Sequence, residues 1–124
     1  MSENNKTILV IDDEELIREL MVEIIHSLGF EVETAFNGID GLEKLNAKPD
    51  YDLIVLDMNM PVMDGRTTYH EVRKILSDIK IILCSGLDKV ETERSFSADS
   101  NLIFVQKPYS LAVISGAIRD ALKG

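Results

Sequence analysis

Cysteine is almost absent from this chain. Its 124 residues include one, Cys84, which excludes a disulfide framework and any zinc or iron–sulfur site built from several cysteines. A lone thiol suits a reducing compartment. Basic runs are missing too. Thirteen Lys and Arg stand against 22 Asp and Glu, the formal charge is −9 and the pI is about 4.6. A nucleic-acid backbone would repel such a surface, so no direct nucleic-acid binding is expected. No apolar stretch approaches the ~20 residues that span a bilayer. The N-terminus turns acidic at Asp12-Asp13-Glu14-Glu15, unlike a secretory leader, so no membrane insertion and a cytoplasmic location are expected. Low-complexity tracts and solenoid-length repeats are lacking. What is present is a 45% hydrophobic fraction, enough for one folded domain over 1–124, with its core at about 6–122 and a frayed polar 1–5.

Short apolar runs alternate with longer amphipathic stretches. Ile8-Leu9-Val10-Ile11, Leu53-Ile54-Val55-Leu56, Ile81-Ile82-Leu83-Cys84 and Leu102-Ile103-Phe104-Val105 are unbroken, as strands buried on both faces are. Val32-Glu33-Thr34-Ala35 is more polar and reads as an edge strand. Between them, Leu16, Ile17, Leu20, Met21, Ile24, Ile25 and Leu28 make one wide helical stripe, closed by Gly29. Further helices are predicted over 38–47, over 65–77 with Val72, Ile75 and Leu76 inward, over 88–97, and over 110–122 with Leu111, Ile114, Ile118, Ala121 and Leu122 at helical spacing. Five β-α units imply a doubly wound parallel sheet with five helices on both faces.

In such a sheet the ligand crevice lies outside the carboxyl ends of the strands. The first strand runs into Asp12-Asp13, the third into Asp57, the fourth into Ser85 and the fifth into Lys107-Pro108. Each has a local explanation: an acidic helix start, a turn, a loop, a strand terminator. Separate local causes would not bring an acid pair, an acid, a hydroxyl and an ammonium to one edge. Two carboxylates ~5 Å apart repel by roughly 3 kcal/mol at an effective dielectric near 20. They stay ionised with a divalent cation between them, and hard oxygen ligands suit Mg2+. A metal, the Lys107 ammonium and the Ser85 hydroxyl facing Asp57 are the parts for phosphoryl transfer onto that carboxylate, with Asp57 as nucleophile.

These residues resemble the response-regulator receiver domain of two-component phosphorelay systems from about Thr7 to Leu122. The resemblance rests on Ile-Asp-Asp-Glu after the first strand, Leu-Asp-Met-Asn-Met-Pro-Val-Met-Asp-Gly at 56–65, Cys-Ser-Gly at 84–86 and Gln-Lys-Pro-Tyr at 106–109. It implies the flavodoxin-like strand order 2-1-3-4-5 that chemotaxis receivers carry. It implies that Asp57 accepts a phosphoryl group from a histidine kinase or histidine phosphotransfer protein. Asp13, Asp57 and the Asn59 carbonyl would ligate Mg2+ (or Mn2+ in its place), and Asp12 would hold a metal-bound water. Lys107 would pair with Asp57 and then with the phosphate, ahead of a cis Lys107–Pro108 peptide. Ser85 and Phe104 would form the switch, altering the face made by the helix over 88–97, the fifth strand and the helix over 110–122. Monomer and phosphorylation-dependent dimer both fit, as do a single-domain regulator and a receiver excised from a hybrid kinase.

Several positions depart from the family. Position 104 is Phe where Tyr is common, and Ala98-Asp99-Ser100-Asn101 replaces a small-residue turn before the fifth strand. With Asn59 and the apolar Leu87 at positions that tune phosphate lifetime, slower phosphate loss is expected than with Glu at 87. His26, His70, Cys84 and Met58, Met60 and Met63 read as packing or surface residues. Three other readings compete. A Mg2+-dependent haloacid-dehalogenase-like phosphatase would want a second acid where Asn59 stands. A flavin protein would want a phosphate-cradling loop where Asp12-Asp13-Glu14-Glu15 stands. The third is a receiver-like binding module that works without phosphorylation. The chain itself is expected to be no enzyme beyond self-phosphorylation and self-dephosphorylation.

Overall fold

The unbroken apolar runs all become strands of one sheet. The computed structural model describes residues 6–86, 96 and 99–123. Strands β1 (Thr7–Ile11), β2 (Glu31–Ala35), β3 (Leu53–Asp57), β4 (Lys80–Ser85) and β5 (Leu102–Gln106) pair in parallel in the order β2-β1-β3-β4-β5. Every residue of the central β3 is buried, whereas β2, at one edge, is mostly half-buried. Alternation along the strands divides the core in two. Leu9, Ile11, Ile54, Leu56, Ile81 and Leu83 face α2 (Gly38–Ala47) and α3 (Gly65–Ile75). Ile8, Val10, Leu53, Val55 and Ile82 face α1 (Glu15–Ser27) and α4 (Leu111–Leu122).

Local chemistry sets the helix ends. Asn37, Asp64 and Ser110 accept from the backbone N–H three residues on, opening α2, α3 and α4. Gly29 closes α1 at φ +91°, with its N–H on the His26 carbonyl and the Phe30 N–H on Ile25. A residue with a Cβ would be strained there.

The structure corrects parts of the pattern. Four helices are seen among the described residues, and the fifth, expected over 88–97, lies outside them apart from Phe96. The α1 stripe is only half covered: Met21, Ile24 and Ile25 are buried, but Leu16 is 78% exposed and Leu20 43%. A helix on one side of a sheet buries a narrower arc than the stripe spans. Leu111 is also exposed, at a shallow groove that α4 forms with Leu20, Glu23, Ile24 and Ser27 of α1. Helix α3 stops at Ile75, and Thr68, Tyr69 and Val72 form its buried face; Ile75 and Leu76 are half-buried. No described helix is long and apolar enough to cross a membrane.

Candidate functional site

Strand register assembles the site. Ile11 lies beside Leu56, so Asp12 continues next to Asp57; Asp57 lies beside Cys84, and Ser85 beside Gln106. The ladder runs one residue past the strand ends: Met58 N–H donates to the Cys84 carbonyl at 2.9 Å and Lys107 N–H to the Ser85 carbonyl at 2.7 Å. The loop after Asp57 is closed by the Gly65 N–H on the Met58 carbonyl at 2.9 Å.

Asp12, Asp13 and Asp57 each place a carboxylate oxygen within 4.8 Å of the others. Asp12 and Asp57 are buried; Asp13 is exposed. The Lys107 Nζ donates to Asp57 Oδ1 at 2.5 Å. The Asn59 N–H reaches the same oxygen at 3.4 Å, the far end of hydrogen-bond range. Asp57 Oδ2 is buried and has no hydrogen-bond partner among the described residues. A buried carboxylate oxygen without a donor is costly, and it fits a hard cation set between the three acids.

The electrostatics agree. Burial raises the Asp12 carboxyl from 3.8 to about 6, opposed by the Glu14 N–H on its Oδ1 at 2.9 Å and reinforced by the Asp57 charge. Burial works against the Lys107 charge, but the bond to Asp57 and the nearby acids hold its pKa above the ordinary lysine value. Burial pushes the Cys84 thiol up to about 12, leaving it a neutral core group.

The structure brings Asp12, Asp13, Asp57 and Lys107 together, with Asn59 exposed beside them. Ser85 is buried at the end of β4, and Phe104 is half-buried on β5 opposite Leu83. Leu87 lies outside the described residues. The Lys107–Pro108 peptide is cis. Three neighbours carry no role in the sequence reading. Arg18 donates to the Asp12 carbonyl at 2.8 Å, Arg66 lines a groove with Asn59 and Asp64, and Tyr109 flanks Lys107 beside Ile17 and Leu20. The α1 periodicity hides Arg18 as an ordinary solvated residue. A cavity of about 620 Å³ opens at the opposite edge of the sheet, around Lys6, Tyr51, Leu76 and Lys80, far from this chemistry.

A parallel doubly wound sheet carrying three acids and a lysine at its strand ends is the architecture of phosphoacceptor signalling domains. The chain belongs to the response regulator receiver domain family, whose sequence pattern matches residues 8–119. It is 34% identical over 118 residues to the sensor kinase CckA of Brucella abortus, covering 94% of this chain but only 12% of that kinase. It is 31% identical to the chemotaxis protein CheY of Treponema pallidum, covering 94% of this chain and 82% of that protein. The crystal structure of the response regulator TrrA of Thermotoga maritima, in complex with Mg(2+)-BeF, superposes with a TM-score of 0.80 at 35% identity, over 94% of this chain and 99% of that one. The chain is thus a phosphoacceptor signalling domain of the two-component type. Nothing among these relatives supports the phosphatase reading. Domains of this family bind Mg2+ in an acidic pocket and interact with histidine kinases or phosphotransfer proteins.

Proposed function

We propose that this chain accepts a phosphoryl group on Asp57 from the phosphohistidine of a kinase or phosphotransfer protein, in a Mg2+-dependent step. The observation that carries the reading is Asp57 itself. It is buried, with one oxygen on Lys107 at 2.5 Å and the other without a hydrogen-bond partner among the described residues, and its carboxylate lies within 4.8 Å of those of Asp12 and Asp13. The Asp57 oxygen forms the new P–O bond, the P–N bond to the donor imidazole breaks, and the imidazole leaves with the bonding pair. Asp12, Asp13 and Asp57, with the Asn59 carbonyl, would hold Mg2+, which when bound supplies positive charge against the transferring oxygens. Lys107 supplies the second positive charge, already in place. Ser85 and Phe104 form the switch. The added group brings a charge of about −1.5 to −2, which draws the Ser85 hydroxyl and turns Phe104 inward, altering the face around β5 and α4.

Acetyl phosphate plus Mg2+, read by intact mass, tests this. One phosphoryl group is expected, lost in Asp57→Asn and absent under chelation. Label that persists in Asp57→Asn would reassign the nucleophile.

A further inference from the structure

The segment Asp99–Asn101, where the family's small-residue turn is missing, is tied to α3 by side chains. The Tyr69 hydroxyl and Arg73 Nε both donate to Asp99 Oδ2, the latter at 2.9 Å. The Asn101 N–H closes a turn on Asp99 Oδ1 at 2.9 Å. Arg73 Nη1 continues to the Ile79 carbonyl at 2.6 Å. Arg73 and Asp99 are only 14% and 16% exposed, so this pair is shielded from solvent.

The clamp fixes the end of a row of rings. Tyr69 meets Phe96 edge-on, centroids 4.9 Å apart at 84°, and Phe96 meets Phe104 at 5.8 Å. The Arg66 guanidinium, which lines the groove with Asn59, lies 5.6 Å from the Phe96 centroid. Phe96 and Tyr69 are buried, and Phe104 is half-buried. The row thus runs from a clamped tyrosine on α3 to the aromatic residue of β5 that the site is proposed to move.

We infer that Phe96 is a brace holding Phe104 in its resting place, with the Tyr69–Asp99–Arg73 clamp as its fixed end. The inference rests on the reading of Asp57 as phosphoacceptor and Phe104 as switch. On this inference the inward turn of Phe104 withdraws its ring from Phe96. That contact then exists in one state only, and whatever favours one state weakens affinity for a ligand of the other.

The phosphoryl mimic beryllofluoride, titrated with Mg2+ by calorimetry, reads the balance. Phe96→Leu is expected to bind it about twofold to tenfold more tightly than the wild type, the worth of one aromatic pair. Tyr69→Phe, which keeps the ring but frees it from Asp99, shifts affinity in the same direction by about twofold and decides the matter if Phe96→Leu does not fold. In a Phe104→Leu background both gains vanish. Unchanged or weaker binding in the single variants overturns the brace, as does an equal gain without Phe104. A wild-type chain that binds no beryllofluoride overturns the phosphoacceptor reading instead.

Discussion

Replacing Asp12 by asparagine raises the melting temperature of the metal-free protein at pH 8 by on the order of 10 °C. The Asp12 carboxyl sits at about 6 in the folded chain against an ordinary 3.8, chiefly through burial. Its full ionisation therefore costs about 3 kcal/mol. Asparagine keeps an oxygen for the Glu14 N–H and carries no charge. The sign follows from the raised value. The stabilising contribution of the protonated acid is complete below about pH 3.8 and lost as pH rises through about 6. The two proteins should thus melt together near pH 4 and diverge towards pH 8. The same variant loses much of the stabilisation that Mg2+ gives the wild type, because one of three converging carboxylates is gone. Thermal melts at pH 4 and 8, with and without Mg2+, check this. An unchanged or lower melting temperature at pH 8 without metal would show that Asp12 is not held against its own charge.

Gly65→Ala goes the other way. A Cβ on Gly65 would lie 2.5 Å from the Met58 Cα and 2.7 Å from the Asp57 carbonyl oxygen, both main-chain atoms that no rotamer change can move. Either α3 retreats, breaking the Gly65 N–H bond to Met58, or the backbone of Asp57 shifts. Overpacking of this kind costs about 1–3 kcal/mol, at times more. Because the displaced backbone carries Asp57, the proposed phosphoacceptor, labelling by acetyl phosphate should slow by at least about tenfold, as a misplaced reacting group implies. Gly116→Ala is the control. Nothing lies within 4 Å of its added methyl, so it should gain up to about 1 kcal/mol of helix propensity. A Gly65→Ala protein that melts and labels like the wild type would mean the loop can open without cost.

The two sides of the site differ in how far the sequence discloses them. Asp12, Asp57 and Lys107 were legible because unbroken apolar strands such as Leu53–Leu56 mark their own ends, and a parallel sheet brings those ends to one edge. The reach of Arg18 back to the Asp12 carbonyl, and the Tyr69–Asp99–Arg73 clamp, were not. The clamp joins residues 26 and 30 positions apart whose types are ordinary on any surface. Periodicity also fails to say how much of an apolar stripe is covered, as Leu16 and Leu111 show, since coverage depends on the neighbouring layer.

All the reactive groups stand at one rim of the sheet, so the other rim is open to engineering. The turn at Pro49–Asp50, between α2 and β3, is exposed and lies at the end where strands begin. A fluorescent reporter grafted there, or new termini cut there in a permuted chain, leaves the distance from Asp57 to Lys107 untouched.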